Sequence, residues 1–244
     1  PFGWLADGWR DFLEAKQVSL VWGWGVFALS VLVAAMAYLL GGIVLLISAL
    51  SGFVIVAPLL AFALYSVSRQ LCEGKEPSLQ QTFRAMRKPA GNALVFALVL
   101  LVVFMIWARA GMMVHVFFPL DGQPDRADIM TFLTIGSAVG AVFAAIAFAT
   151  VATSLPMLAN RDVDVVTAVV SSINAVLRNK PAMALWAALI VILTLIGFAT
   201  AFFGLVVIIP WLAYATWHSY RDLLDVSQWP ILEGPEGKAG EQRQ

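Results

Sequence analysis

Residues 18–68 form a stretch of 51 residues without a single Asp, Glu, Lys or Arg. A helix needs about 20 apolar residues to cross the hydrocarbon core of a bilayer, because it rises about 1.5 Å per residue. This stretch is too long for one span, so it predicts two spans joined by a turn. Glycine pairs mark turns, and Gly41-Gly42 therefore predicts where the chain reverses.

The composition extends the same conclusion to the whole chain. Hydrophobic residues make up 61% of the sequence and charged residues 12%, against about 45–50% and about 25% in soluble proteins. An ordinary soluble domain and a disordered chain are thereby excluded. Fifteen basic residues balance fifteen acidic ones, so no nucleic-acid partner is predicted. The single Cys72 cannot form an intrachain disulfide.

The other uncharged stretches complete an all-α bundle of six transmembrane helices. The predicted spans lie near residues 19–40, 43–66, 89–109, 129–157, 181–201 and 204–221. The last two share one stretch, with a turn between Gly197 and Gly204. A five-span alternative, in which 181–220 is one kinked or re-entrant element, stays open. Residues 1–226 form one transmembrane domain, and residues 227–244, rich in Gly, Glu and Pro, are predicted to be a disordered cytoplasmic tail.

The basic residues orient this bundle. With the amino terminus in the cytoplasm, thirteen of the fifteen Lys and Arg residues fall on the cytoplasmic side, and only Arg109 and Arg126 lie on or near the outer side. Positive residues concentrate on the cytoplasmic side of membrane proteins. Both termini are therefore predicted to be cytoplasmic.

Three amphipathic helices are expected on the membrane surface. In residues 3–16 the apolar face contains Trp4, Leu5, Trp9, Phe12 and Leu13, and the polar face contains Asp7, Arg10, Asp11 and Glu14. This pattern is typical of a surface anchor, and a docking helix for a partner is the alternative. In the loops 69–88 and 161–180, Ser78 and Asp164 are predicted to cap the other two helices.

The sequence offers no recognisable catalytic chemistry. Charged residues and histidines are missing from the predicted middle of the membrane, where ion-coupled carriers place them. His115 and His218 fall on opposite sides, so they cannot share a metal or a haem. Neither has a carboxylate and a nucleophile beside it in the sequence. No catalytic residue, metal ligand or cofactor is predicted, and the chain is not expected to be an enzyme.

Two clusters remain as candidates for contact with lipid or a partner. At the outer surface Arg109 and His115 lie near Asp121 and Asp128. At the inner end of the sixth span, residues 217–222 combine aromatic, basic and acidic groups. The simpler alternatives are an Arg109 that reaches the headgroups and an aromatic belt at the membrane boundary. The candidate contacts are Trp217, His218, Tyr220, Arg221, Arg109, His115, Trp4 and Trp9.

Small residues predict where helices approach closely. Gly136, Gly140 and Ala144 recur every four residues in the fourth span. Such a ridge indicates an internal packing face or the contact face of a homo-oligomer. Gly23 and Gly25 suggest similar close packing of the first span.

Three runs carry a resemblance to a known family. They are GWRDF at residues 8–12, NKP at 179–181 and PWLAYATWHSYRDL at 210–223. With these runs the chain resembles a family of predicted bacterial integral membrane proteins, domain of unknown function 2189. The resemblance implies a bacterial inner-membrane location and no particular activity. Some members are labelled as similar to subunit I of cytochrome c oxidase, but the two histidines on opposite sides contradict a catalytic oxidase subunit.

The function expected from these observations is a non-catalytic accessory, assembly or partner-binding subunit of a larger inner-membrane complex, such as a respiratory complex. A transporter or channel for a neutral or lipid-like solute is the alternative. A lateral groove near Trp217 and Arg221 would favour that alternative.

Overall fold

The computed structural model describes residues 1–87, 90–117 and 126–232. Helices dominate this part of the chain, which contains one isolated β-bridge and no strand. The α-helices are α1 (Phe2–Glu14), α2 (Lys16–Ala61), α3 (Tyr65–Cys72), α4 (Leu79–Arg87), α5 (Ala90–Phe117), α6 (Arg126–Val151), α7 (Ser154–Asn160), α8 (Val165–Arg178), α9 (Lys180–Ala199) and α10 (Leu205–Leu223). The predicted all-α class is confirmed.

The helix α2 is a hairpin of two helices rather than one long rod. Gly41 (φ −150°, ψ 17°) and Gly42 (φ 61°, ψ −151°) leave the helical conformation, and the positive φ of Gly42 favours glycine. The Trp22 indole N–H donates to the Leu60 carbonyl at 2.9 Å. These residues are 38 positions apart and would be separated by about 57 Å in a straight helix. The reversal predicted at Gly41-Gly42 is confirmed.

The turn predicted between Gly197 and Gly204 is also observed. The helix α9 ends at Ala199 and α10 begins at Leu205. Gly197 lies against the Leu205 side chain, while Met183 shares a buried cluster with Leu212 and Ala215. Residues 180–223 therefore form an antiparallel pair of helices rather than one kinked element.

Within the described part of the chain, four segments are long and apolar enough to cross a membrane. They are Lys16–Gly42, Ala90–Ala110, Arg126–Asn160 and Lys180–Ala199. The other two predicted spans coincide with the second half of α2 and with α10. Among the helices of 19 residues or more, α10 is the least apolar.

The predicted fourth span, 129–157, is interrupted before its end. The helix α6 stops at Val151, and Pro156 lies in the first turn of α7. Proline has no N–H to donate to the carbonyl four residues before it, and its ring clashes there. The Ser172 hydroxyl compensates by accepting from the Thr153 N–H at 3.1 Å and donating to the Ala149 carbonyl at 2.7 Å. This buried serine thereby docks α8 onto the break.

The two predicted helix caps are present. Ser78 Oγ accepts from the Gln81 N–H at 3.2 Å, and Asp164 accepts from the Thr167 N–H at 2.9 Å. The side-chain and backbone hydrogen bonds from Thr167 hold the pKa of Asp164 below its usual value.

The centre of the fold is α10, which packs mainly against α1 and α2. Both neighbours use a glycine at the closest approach. Gly8 of α1 lies against Ala215, and Gly23 of α2 lies against the Val206 backbone. A side chain at either position would overlap with α10. The close packing predicted for Gly23 is thus confirmed, whereas Gly25 has open space beside it.

We predict that Gly23→Ala lowers the stability of the protein and that Gly25→Ala does not. The new methyl at position 23 would overlap with the Val206 carbonyl, and overpacking of this kind costs about 1–3 kcal/mol. Thermal unfolding in detergent, followed by tryptophan fluorescence, measures the difference. Equal midpoints for the two variants would contradict this contact.

Candidate functional site

A group of buried polar contacts lies where α1, α3 and the end of α10 meet. At its centre is Asp11, which is only 8% exposed. The Ser68 hydroxyl donates to Asp11 Oδ2 at 2.6 Å, and His218 Nε2 lies 3.0 Å from the same oxygen. A buried carboxylate is tolerated only when it is hydrogen-bonded or paired. We call Asp11, Ser68 and His218 the polar cluster.

The order of contacts within the polar cluster differs from that of a hydrolytic triad. In a triad the serine hydroxyl contacts the histidine, and the carboxylate orients the histidine from the other side. Here both Ser68 and His218 contact one oxygen of Asp11. This arrangement holds three helices together through one carboxylate.

The polar cluster corrects two expectations. No carboxylate partner was expected for His218, whereas Asp11 contacts it from 207 positions away. Asp11 was also expected on the polar face of the first helix, but it is buried. The buried face of α1 contains Trp4, Gly8, Asp11 and Phe12. These positions follow helical spacing, and the small Gly8 within the row is the signal that could have indicated this face.

Further polar contacts surround the cluster. The Ser19 hydroxyl donates to the Ala15 carbonyl, so the Tyr214 hydroxyl is the donor in its 2.7 Å contact with Ser19 Oγ. Asn160 Nδ2 donates to the Tyr220 hydroxyl at 3.0 Å. The Tyr214 and Tyr220 hydroxyls of α10 therefore find partners on α2 and α7 instead of facing lipid unpaired.

Contacts near the ends of α1 and α10 complete this surface. The Trp4 indole N–H donates to Asp222 Oδ2 at 2.9 Å. Arg221 donates to the Cys72 sulfur at 3.0 Å. These contacts tie α10 to α1 and to α3.

The segment after α10 also packs onto the body. Arg161 forms a β-bridge with Ile231 and donates from its side chain to the Trp229 carbonyl at 2.8 Å. Trp229 packs against the core and Leu232 is buried. Residues 227–232 were expected to be disordered, which is wrong because these apolar side chains hold the segment in place. Residues 233–244 lie outside the described part of the chain.

Several predicted contact residues prove to be internal. Trp217 is 2% exposed, Tyr220 is fully buried and Trp4 is 7% exposed. Their rings pack within the protein: Trp217 lies against Tyr220, and Trp4 lies edge-on to Trp186. Their prediction as lipid or partner contacts is therefore corrected. Interfacial aromatic residues and core aromatic residues look alike in one sequence.

The remaining candidates lie at different places. Trp9 is partly exposed and stacks on Phe12, so its outer edge is open to lipid. Arg221 and Arg109 are exposed, and His218 belongs to the polar cluster. The His115 backbone lies within α5, but its side chain falls outside the described part, as do Asp121 and the rest of 118–125.

A metal site requires several His, Cys, Asp or Glu side chains close together. No group of three or more His, Cys, Asp or Glu side chains is placed to hold a metal ion in 1–87, 90–117 and 126–232.

Comparison with known proteins gives a family match for part of the chain. Residues 45–160 match the family described as "Predicted integral membrane protein (DUF2189)". The predicted resemblance is confirmed over this segment. The chain is an integral membrane protein. The match covers the second half of α2 and continues through α7, whereas the three runs that suggested the resemblance lie outside it. Neither the curated proteins nor the solved structures provide a match.

We predict that Asp11→Ala destabilises the protein and that Asp7→Ala has little effect. The first change leaves the Ser68 hydroxyl without its acceptor and removes the charge beside His218, at a cost of about 1–3 kcal/mol. Asp7 is exposed on the same helix, where it pairs with Arg10, and exposed pairs contribute about 0–1 kcal/mol. Thermal unfolding in detergent distinguishes the two variants. A similar loss in both would show that Asp11 is no more important than a surface carboxylate.

Proposed function

We propose that this membrane protein is a non-catalytic subunit that assembles with a partner membrane protein through the hairpin of α5 and α6. The observation that carries the proposal is the exposure of α6. In its most apolar 18-residue window no residue is buried, whereas 22% of the corresponding window of α9 is buried. The two helices of the hairpin make their largest contact with each other, and neither is among the main partners of α10. The outer face of α6 therefore points away from the body around α10.

The small-residue ridge of α6 supports the same proposal. Gly136 has no neighbouring atom within 4 Å of the place of a side chain, and Ala144 is exposed. Gly140 faces Trp107 of α5 at 4.0 Å. Most of the ridge is therefore uncovered within one chain. Small residues allow another membrane helix to approach closely, from a different protein or from a second copy.

The proposed orientation places the polar cluster on the cytoplasmic side of a bacterial inner membrane, with both termini cytoplasmic. The distribution of the basic residues supports this orientation. Arg10 belongs to α1 and Arg69 to α3. Arg161 follows α7, and Arg221 lies near the end of α10. These elements meet at one end of the bundle. Positive charge concentrated at one end favours the cytoplasmic side.

Transport of a neutral or lipid-like solute has less support. The groove that would favour it was expected near Trp217 and Arg221. Trp217 is buried and Arg221 contacts Cys72. The apolar groove found in the described residues lies elsewhere, between α2, α4 and α5.

We predict that a photo-crosslinking residue at Leu133 of α6 captures a protein in native membranes, and that one at Leu195 of α9 does not. The two leucines are similarly exposed, at 53% and 57%. If both positions contacted only lipid, they would therefore give the same crosslinking result. Leu133 lies on the face of Gly136, Gly140 and Ala144 by helical spacing. A discrete adduct of higher mass on a gel, identified by mass spectrometry, is the expected result.

Two outcomes would separate the possible partners or contradict the proposal. Co-expression of two differently tagged copies shows whether the adduct contains a second copy of this chain. Equal protein adducts from Leu133 and Leu195, or lipid adducts alone from both, would contradict assembly through α6.

A further inference from the structure

An apolar groove opens on the side of the bundle between the second half of α2, α4 and the start of α5. Its volume is about 680 Å³, and its lining includes Leu59, Phe62, Phe83, Ala93, Leu94 and Ala97. Every residue that lines it is Leu, Phe or Ala. No side chain in the lining offers a hydrogen bond to water, so the groove favours hydrocarbon as its content.

The groove is long enough to hold part of a lipid chain within one leaflet. Its lining on α5 runs from Ala90 to Ala97, which corresponds to about 10 Å along the helix axis. One leaflet contributes about 15 Å of hydrocarbon. The groove therefore begins at the amino end of α5 and extends into the apolar region of the same leaflet.

The helix α4 places positive charge at the headgroup end. Phe83 of α4 lines the groove, and its neighbour Arg84 is exposed. The sequence of α4, Leu79–Arg87, contains Arg84 and Arg87 and no acidic residue. Basic residues at a membrane surface attract anionic lipid headgroups.

We propose that this groove binds one acyl chain of an anionic phospholipid, whose headgroup phosphate contacts Arg84 of α4. The apolar lining selects the chain, and the charge of α4 selects the headgroup. The groove uses the start of α5 together with α2 and α4, whereas the small-residue ridge lies on α6, so the test of the groove does not depend on that ridge.

Native mass spectrometry of the detergent-purified, delipidated protein tests the headgroup preference. The protein is titrated with phosphatidylglycerol or with phosphatidylcholine that carries the same acyl chains. The wild type is expected to retain one phosphatidylglycerol in preference to phosphatidylcholine. Arg84→Gln should lower this preference roughly fivefold, the factor that corresponds to about 1 kcal/mol for one basic residue. Arg178→Gln, at the exposed end of α8, is the matched control and should leave the preference unchanged.

A second pair of variants tests the groove itself. Ala97→Phe places a ring in the groove and should abolish the retained lipid of either type. Leu98→Phe adds a ring on the exposed neighbouring position, which does not line the groove, and should keep the lipid. The proposal would be overturned if the wild type retained the two phospholipids equally. It would also be overturned if Arg84→Gln kept the wild-type preference, or if Ala97→Phe retained the lipid in full.

Discussion

The close packing of α10 against α1 and α2 supports the rest of the structure. At Gly8 and Gly23 the backbones of neighbouring helices approach α10 so closely that no side chain fits between them. Glycine has a conformational cost in a helix, but in a membrane it allows the van der Waals contact that drives helix association. Because α10 is enclosed in this way, it can carry Tyr214 and Trp217 inside the protein rather than facing lipid. Its modest hydropathy is therefore a consequence of its central position.

The polar cluster fixes the position of α1 along α10. Apolar contacts alone would allow α1 to slide along α10, whereas a hydrogen bond to a buried carboxylate has one geometry. Asp11 fixes α1 against His218 and, through Ser68, against α3. The same end of the molecule carries the contacts Trp4–Asp222, Asn160–Tyr220 and Arg161–Trp229. One end of the bundle is thus cross-linked by polar groups, while α6 lies at the periphery.

The parts of this fold that are local in the sequence could be predicted from it. The apolar length of residues 18–68, the reversal at Gly41-Gly42 and the cap at Asp164 each depend on residues close together in the chain, and each is observed. The break in the fourth span before Pro156 was not predicted, because apolar composition alone does not show where a helix is interrupted. Composition also misjudged residues 227–232, because the surrounding Gly, Glu and Pro conceal the two apolar anchors Trp229 and Leu232.

The candidate site could not be predicted, because its partners are distant in the sequence. Asp11 and His218 are separated by 207 positions, and Ser19 and Tyr214 by 195. Helical spacing alone left both faces of α1 plausible for burial, and only the presence of α10 decides between them. For the same reason the sequence around Trp217 and Tyr220 resembles an interfacial aromatic belt, although both side chains are buried at the centre of the bundle.

Labelling of the wild-type protein in membranes with a lipid-soluble photoactivatable carbene reagent, read out residue by residue with mass spectrometry, tests the central position of α10 most directly. The account predicts strong labelling of exposed positions such as Leu98 of α5 and Leu195 of α9, and little labelling of residues 212–215 of α10, all of which are buried. Labelling of residues 212–215 at the level of Leu195 would show that α10 faces lipid and would contradict the account.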